Sequence, residues 1–382
     1  MSKTLMYGIF YTITTIILVI YFIIEKKIEK TRKERSMKKI DNFLTKHDLF
    51  MGTEREPIVK SLDFMISLGW VIILVLFIQK FYIGNFTVPT ASMEPTVIVG
   101  ERFFGNMVTP KFKLPKRETI IIFREPIEDK LRYTKRLVGL PGEKISINDI
   151  GQLVINGVPE TIKDNHYTQE GLIGTDTWTI PKKGDKIKLL DATFQILKNK
   201  MSLEQLQSYL KSNNGFTADG EGISIQKMKF SINGKTQTDG LDSYVTDNNT
   251  MFKLLNGQTV NNDGYEIKIL SGTFYVSKNN ITVDEIKKEM SSNPKLDFRI
   301  TTGHFLLNNK DTTGPISDKD ILTKLINGQE VTLENNYIMA LGDNTTNSSD
   351  SRYWGFVKDE RILGTLLFRY WPLNRISVMV NK

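Results

Sequence analysis

Two uncharged apolar runs open the chain, with a basic stretch between them, and short β-prone segments such as IIIF and YTKRLVGL follow. The first run, TLMYGIFYTITTIILVIYFII from Thr4 to Ile24, holds twenty-one residues without a charge. That is enough for a helix across a hydrocarbon core about 30 Å thick. A cleaved leader is the competing reading, but the run is long for one and no small-x-small site follows it. The second run, FMISLGWVIILVLFIQ from Phe64 to Gln79, reaches sixteen residues before Lys80. It lengthens through KFYIGNF when that lysine snorkels to the headgroups, which predicts a second span over 62–84. A buried core helix is the alternative.

Charge orients these elements. The net +8 suggests an anionic partner only until it is divided along the chain: residues 25–61 hold eleven Lys or Arg against seven Asp or Glu, and residues 81–382 carry +3. The basic character is local, so no nucleic-acid partner is expected. A dense basic cluster between two spans predicts a cytoplasmic loop over 25–61. Both chain ends, and everything from residue 85 on, are then expected outside the cytoplasm, in a multi-pass protein of the cell membrane held in contact with lipid.

The remaining length holds a duplication. IKLLDATFQILKNKMSLEQLQSYLKSN (187–213) aligns without gaps to IKILSGTFYVSKNNITVDEIKKEMSSN (267–293), with nine of twenty-seven positions identical, which marks a repeat. Each copy reads as a β-hairpin followed by a helix opened by a capping box, Ser202 with Gln205 and Thr282 with Glu285. LLNGQTV at Leu254 and LINGQEV at Leu325 echo each other as well. The expected organisation is a β core over 85–158 and 335–382, interrupted by an α+β insert over 159–334.

There are no cysteines and three histidines, His47, His166 and His304, in no ligand spacing. Disulfides, thiol nucleophiles and Cys-ligated metals are excluded, and a Ser-His-Asp triad or His-rich metal site is poorly supplied.

Three segments carry chemistry: VPTASMEPT (Val88 to Thr96), YTKRLVGLPGE (Tyr133 to Glu143) and ALGDNTTNSSDSRYWG (Ala340 to Gly355). In this order they resemble the signature boxes of bacterial type I signal peptidases. The resemblance covers the anchor, roughly residues 81–158, and 335–382. It implies a mostly β catalytic fold of the signal peptidase or LexA-like type, and a membrane-anchored Ser-Lys endopeptidase that removes signal peptides from exported preproteins, possible contact with the export machinery included. No metal or organic cofactor is implied.

By that resemblance Ser92 is the nucleophile and Lys135 the general base, a role open to lysine only when burial lowers its pKa from about 10.4. Strand alternation sends Lys135 and Arg136 to opposite faces, so that one can be buried while the other pairs outward. The Ser92 amide and the Thr90 hydroxyl would receive the oxyanion. Ser348 would orient the lysine, with Asp343, Asp350, Arg352 and Arg136 supporting the site. Phe86 and Val88 match pocket-lining positions for substrates with small residues at the first and third positions before the cleaved bond.

Two departures stand out. Thr345 and Thr346 replace a frequent charged pair, and Glu118-Thr119 stands where the family commonly has Gly-Asp before the strand IIIF. The rivals are a non-catalytic scaffold of the same fold for assembling surface structures, and a self-cleaving regulator of the LexA type. The first would be marked by a lost Ser or Lys; the second needs a DNA-binding module, which the basic segment is too short to supply.

Overall fold

The computed structural model describes residues 3–47, 49, 55–126, 131–160, 162, 165–212, 221–237, 241, 244–245, 247–293, 296–314 and 316–379. They fall into two compact units, Met1–Asn85 with Phe104–Leu114, and Phe86–Phe103 with Pro115–Lys382.

The first unit is built on two helices, α1 (Lys3–Lys46) and α2 (Arg55–Phe81). Apolar windows long enough to cross a membrane cover Leu5–Ile24 and Glu56–Phe81. α1 does not stop at residue 24, as the change from apolar to basic residues predicted. Its 44 residues extend about 66 Å at the usual rise, because no Gly or Pro lies between Gly8 and Gly52 and Lys, Arg and Glu are good helix formers. The part of the expected loop at residues 48 and 50–54 lies outside the described residues. α2 likewise starts earlier than residue 62, its first turn carrying the Glu56–Lys60 ion pair. The helices meet through Tyr11, whose hydroxyl donates to the Phe81 carbonyl at 2.9 Å, and through the Thr14 and Tyr82 hydroxyls.

From Ile83 on the chain is mostly β. The early strands are β1 (Ile83–Thr87), β2 (Arg102–Asn106), β3 (Ile120–Arg124), β4 (Arg132–Gly139), β5 (Lys144–Ile147), β6 (Leu153–Ile155), β7 (Val158–Glu160) and β8 (Trp178–Thr179). Next come β9 (Lys186–Ser202), α3 (Leu203–Ser212), β10 (Glu221–Ile232), β11 (Lys235–Gln237), α4 (Asn248–Leu255) and β12 (Val260–Asn262). The same order then returns: β13 (Tyr265–Thr282), α5 (Val283–Ser292), β14 (Asp297–Leu307), β15 (Lys310–Thr313), α6 (Lys319–Ile326) and β16 (Val331–Thr332). The chain closes with β17 (Tyr337–Leu341), α7 (Ser351–Trp354), β18 (Val357–Lys358), β19 (Ile362–Trp371) and β20 (Ser377–Val378).

One sheet has the order β1-β2-β19-β3-β4-β17-β18, with β20 on β19. The other runs β11-β10-β13-β9-β14-β15-β8-β5-β6-β7, with β12 on β13 and β16 on β9. The change of sheet therefore falls at Pro141-Gly142, after β4, and not near residue 159; Gly142 takes φ +86° there. The sheets share one buried cluster, to which Val138 and Met339 of the first and Ile145, Trp178, Ile187 and Phe194 of the second belong.

Where hairpins were expected, β9 and β13 are single strands. Asp191-Ala192 and Ser271-Gly272 do not take the positive φ that two-residue hairpin turns require. Each strand instead accommodates one extra residue: pairing skips from His304↔Asp191 to Phe305↔Leu189, and from Lys229↔Ser271 to Phe230↔Ile269. Leu190 and Leu270 are left over, and such bulges bend a strand without reversing it. The first part of β9 pairs with β14 and that of β13 with β10, while their second halves pair with each other. The helices cross over accordingly. Leu206 and Leu210 of α3 belong to one buried cluster with Ile267 and Phe274 of β13, and Ile286 of α5 belongs to another with Ile187 and Phe194 of β9.

Candidate active site

β4 is an interior strand, paired with β3 through Ile121↔Lys135 and with β17 through Leu341↔Arg136. Its two adjacent cations point to opposite faces and both are buried, Lys135 at 4% and Arg136 at 1% exposure. The expectation that one would pair outward is corrected, because Arg136 finds its counter-charge inside. Its Nε donates to Asp343 Oδ1 at 2.7 Å, its Nη2 to Asp343 Oδ2, and its Nη1 to the Glu118 carbonyl at 2.7 Å. Removing one member of such a buried pair costs about 3–5 kcal/mol.

Ser92 lies in the loop between β1 and β2, which is closed at its base by Val88 N–H to the Glu101 carbonyl and Gly100 N–H to the Val88 carbonyl. Met93 and Val97 anchor it in an apolar cluster with Phe103, Ile120 and Leu366. Val88 is buried in that cluster and Phe86 packs against it. Lys135 Nζ donates to Ser92 Oγ at 2.6 Å, and the Thr90 and Ser92 hydroxyls are 3.2 Å apart. The Tyr133 ring lies 5.7 Å from the Lys135 amine, beside Phe123 and Trp354.

The loop after β17 closes the other side. Asn344 donates its backbone N–H to the Ser92 carbonyl and its side-chain amide to the Ala91 carbonyl, both at 3.1 Å. Gly342 N–H donates to Asp350 Oδ2 at 3.0 Å, and Arg352 grips both oxygens of Asp350. Burial works against the Arg352 charge, but the hydrogen bonds and charge of Asp350 outweigh it and hold the guanidinium above its ordinary pKa. Ser348 is a correction. Its Oγ is buried without a hydrogen-bond partner, so the expected bond to Lys135 is not formed; the hydroxyl instead fills the space that a side chain at Gly342 would need.

Sequence reasoning missed several contributors. Glu101, buried at the base of the Ser92 loop, pairs with Arg369 at 3.0 Å and Arg375 at 2.6 Å, and Arg369 also donates to the Thr96 carbonyl. The signal in the sequence was slight, a Glu101-Arg102 charge pair between Ile98-Val99 and Phe103-Phe104. At the Glu118 departure the turn survives, with Glu118 itself at φ +67°, a region that favours glycine. Thr345 is half-buried and Thr346 exposed.

The family model described as signal peptidase, peptidase S26, matches residues 61–371. A signal peptidase I of Buchnera aphidicola subsp. Baizongia pistaciae is 24% identical over 315 residues, covering 79% of this chain and 74% of that one. One from Rickettsia bellii is 31% identical over 120 residues, covering 26% of this chain and 42% of its own, so the chain spans under half of that relative. A crystallised signal peptidase I from Enterococcus faecalis V583 covers 66% of this chain and is itself 97% covered, at 18% identity and a TM-score of 0.21, a likeness too slight to argue from.

Proposed function

The chain belongs to the peptidase S26 family of signal peptidases, and from that premise we propose that it is a membrane-anchored endopeptidase that removes signal peptides from exported preproteins with a Ser92-Lys135 dyad. The observation that carries this reading is the 2.6 Å approach of the Lys135 amine to the Ser92 hydroxyl, with both residues buried. Burial penalises an ammonium, which favours the neutral amine that a base must be.

In this mechanism Ser92 Oγ attacks the scissile carbonyl carbon as Lys135 takes its proton. The Thr90 hydroxyl and the Ser92 amide receive the charge that develops on the carbonyl oxygen. Collapse of the intermediate breaks the C–N bond, and Lys135 returns its proton to the departing amine. Neutral Lys135 then deprotonates water, which hydrolyses the ester and frees the signal peptide as a carboxylate. The two apolar helices span the membrane, the basic stretch faces the cytoplasm, and the β unit works on the outer side. The substrate adds to the catalytic sheet as an extended strand.

Detergent-solubilised protein incubated with a preprotein tests this. Mass spectrometry of the product should place the new N-terminus immediately after a small residue preceded, two positions earlier, by another small one. Cleavage scattered through the preprotein, or none, would contradict it.

A further inference from the structure

The segment between β7 and β8, residues 165–172, lies against the loop after β17 and touches both buried ion pairs of the site. Asn165 Nδ2 donates to Asp343 Oδ1 at 3.4 Å. Arg352 Nη1 donates to Thr168 Oγ1 at 2.9 Å, and the Arg352 guanidinium sits 5.8 Å from the buried Tyr167 ring. Leu172 N–H donates to the Arg352 carbonyl at 2.6 Å, and the Tyr353 hydroxyl donates to Glu170 at 3.0 Å.

The fit is close enough to dictate sequence. Gly171 has φ +79°, and a methyl there would stand 2.6 Å from the Arg352 carbonyl oxygen. At its other end the segment is tied to the β5–β6 turn by Tyr167 N–H to the Gly151 carbonyl at 2.7 Å.

We propose that this arm is a positioning element for the dyad, with Thr168 and Asn165 its working residues. The inference rests on the peptidase reading. The route of contact is continuous. Thr168 accepts one N–H of Arg352, whose other donors hold both Asp350 oxygens. Asp350 accepts the Gly342 amide. Gly342 in turn is packed so tightly that an added methyl would lie 2.5 Å from the Ser92 carbonyl oxygen. Asn165 acts in parallel, since Asp343 holds Arg136, the neighbour of Lys135 on β4. Thr168 is an uncharged acceptor on a cation, a kind of bond stronger than a neutral pair. Its loss removes the anchor that sets the guanidinium from the side away from Asp350, so the Arg352–Asp350 pair shifts together and the displacement is passed through Gly342 to the Ser92 backbone.

The test uses the full-length protein in detergent and a preprotein, with Thr168→Val, Thr168→Ser and Asn165→Ala beside wild type and Ser92→Ala. Thr168→Val should lower kcat about tenfold with KM within about twofold, Thr168→Ser should restore it, and Asn165→Ala should lower kcat in the same way. Hydrogen exchange at the Gly342 amide should quicken in Thr168→Val. Wild-type kcat in Thr168→Val, a loss confined to KM, or failure of the serine variant to rescue would overturn the proposal. A wild type no more active than Ser92→Ala would sink the peptidase reading instead, and exchange at Gly342 would then decide the arm alone: unchanged exchange overturns it.

Discussion

At the residue scale the site depends on close approach. Gly342 has no room for a side chain: a methyl there would stand 2.1 Å from Ser348 Oγ and 2.5 Å from the Ser92 carbonyl oxygen. Gly342→Ala should therefore push the Ser92 backbone out of line and reduce turnover about a hundredfold, the size expected for a misplacement near 1 Å. Turnover of that variant within a factor of two of wild type would show that the contact can relax harmlessly. Ser92, Thr90, Lys135, Asp343, Asp350 and Arg352, the residues of the proposed site, all fall within three short motifs, because a resemblance carried by sequence boxes reaches only residues inside them. Glu101, Arg369, Asn165 and Thr168 were not, because their partners lie in segments that only the fold brings together. A buried carboxylate must be paired, but its place in the sequence does not say with what.

At the element scale, local signals were legible and their tertiary use was not. The capping boxes at Ser202 and Thr282 form, since a cap is decided within four residues. Asp247 and Asp318 likewise cap α4 and α6, the helices that end in the NGQ echo. The bulges in β9 and β13 read as turns in the sequence because a bulge and a hairpin both interrupt alternation. The exchange of helices was invisible, since it depends on which half of a long strand pairs with which neighbour. It carries a consequence: neither copy closes its own core. Deleting residues 265–332 should leave Leu206, Leu210 and the second half of β9 uncovered, giving protein that limited proteolysis cleaves within the remaining 186–262 at early times. A protease-resistant 186–262 in that deletion would mean each copy folds alone.

At the scale of the whole molecule, composition and charge foretold an apolar helical unit ahead of a mostly β unit, but not where the helices end. Helix propensity carried α1 through the basic segment after its apolar pattern stopped. Sidedness can be read directly, because the chain has no cysteine and a single introduced thiol reports alone. Asn42→Cys and Lys310→Cys, both at exposed positions, should differ in whole cells. A membrane-impermeant maleimide should label only the second, and labelling of Asn42→Cys without lysis would reverse the proposed orientation.

The central claim is that one buried amine serves as the base for one hydroxyl. Single-turnover cleavage of a preprotein by wild type, Ser92→Ala and Lys135→Met measures it most directly, since methionine keeps the apolar bulk of the lysine and removes only the basic nitrogen. Both variants should remain folded and lose about a thousandfold or more in rate, as removal of a nucleophile or its base does elsewhere. A Lys135→Met enzyme cleaving within tenfold of wild type would contradict the account.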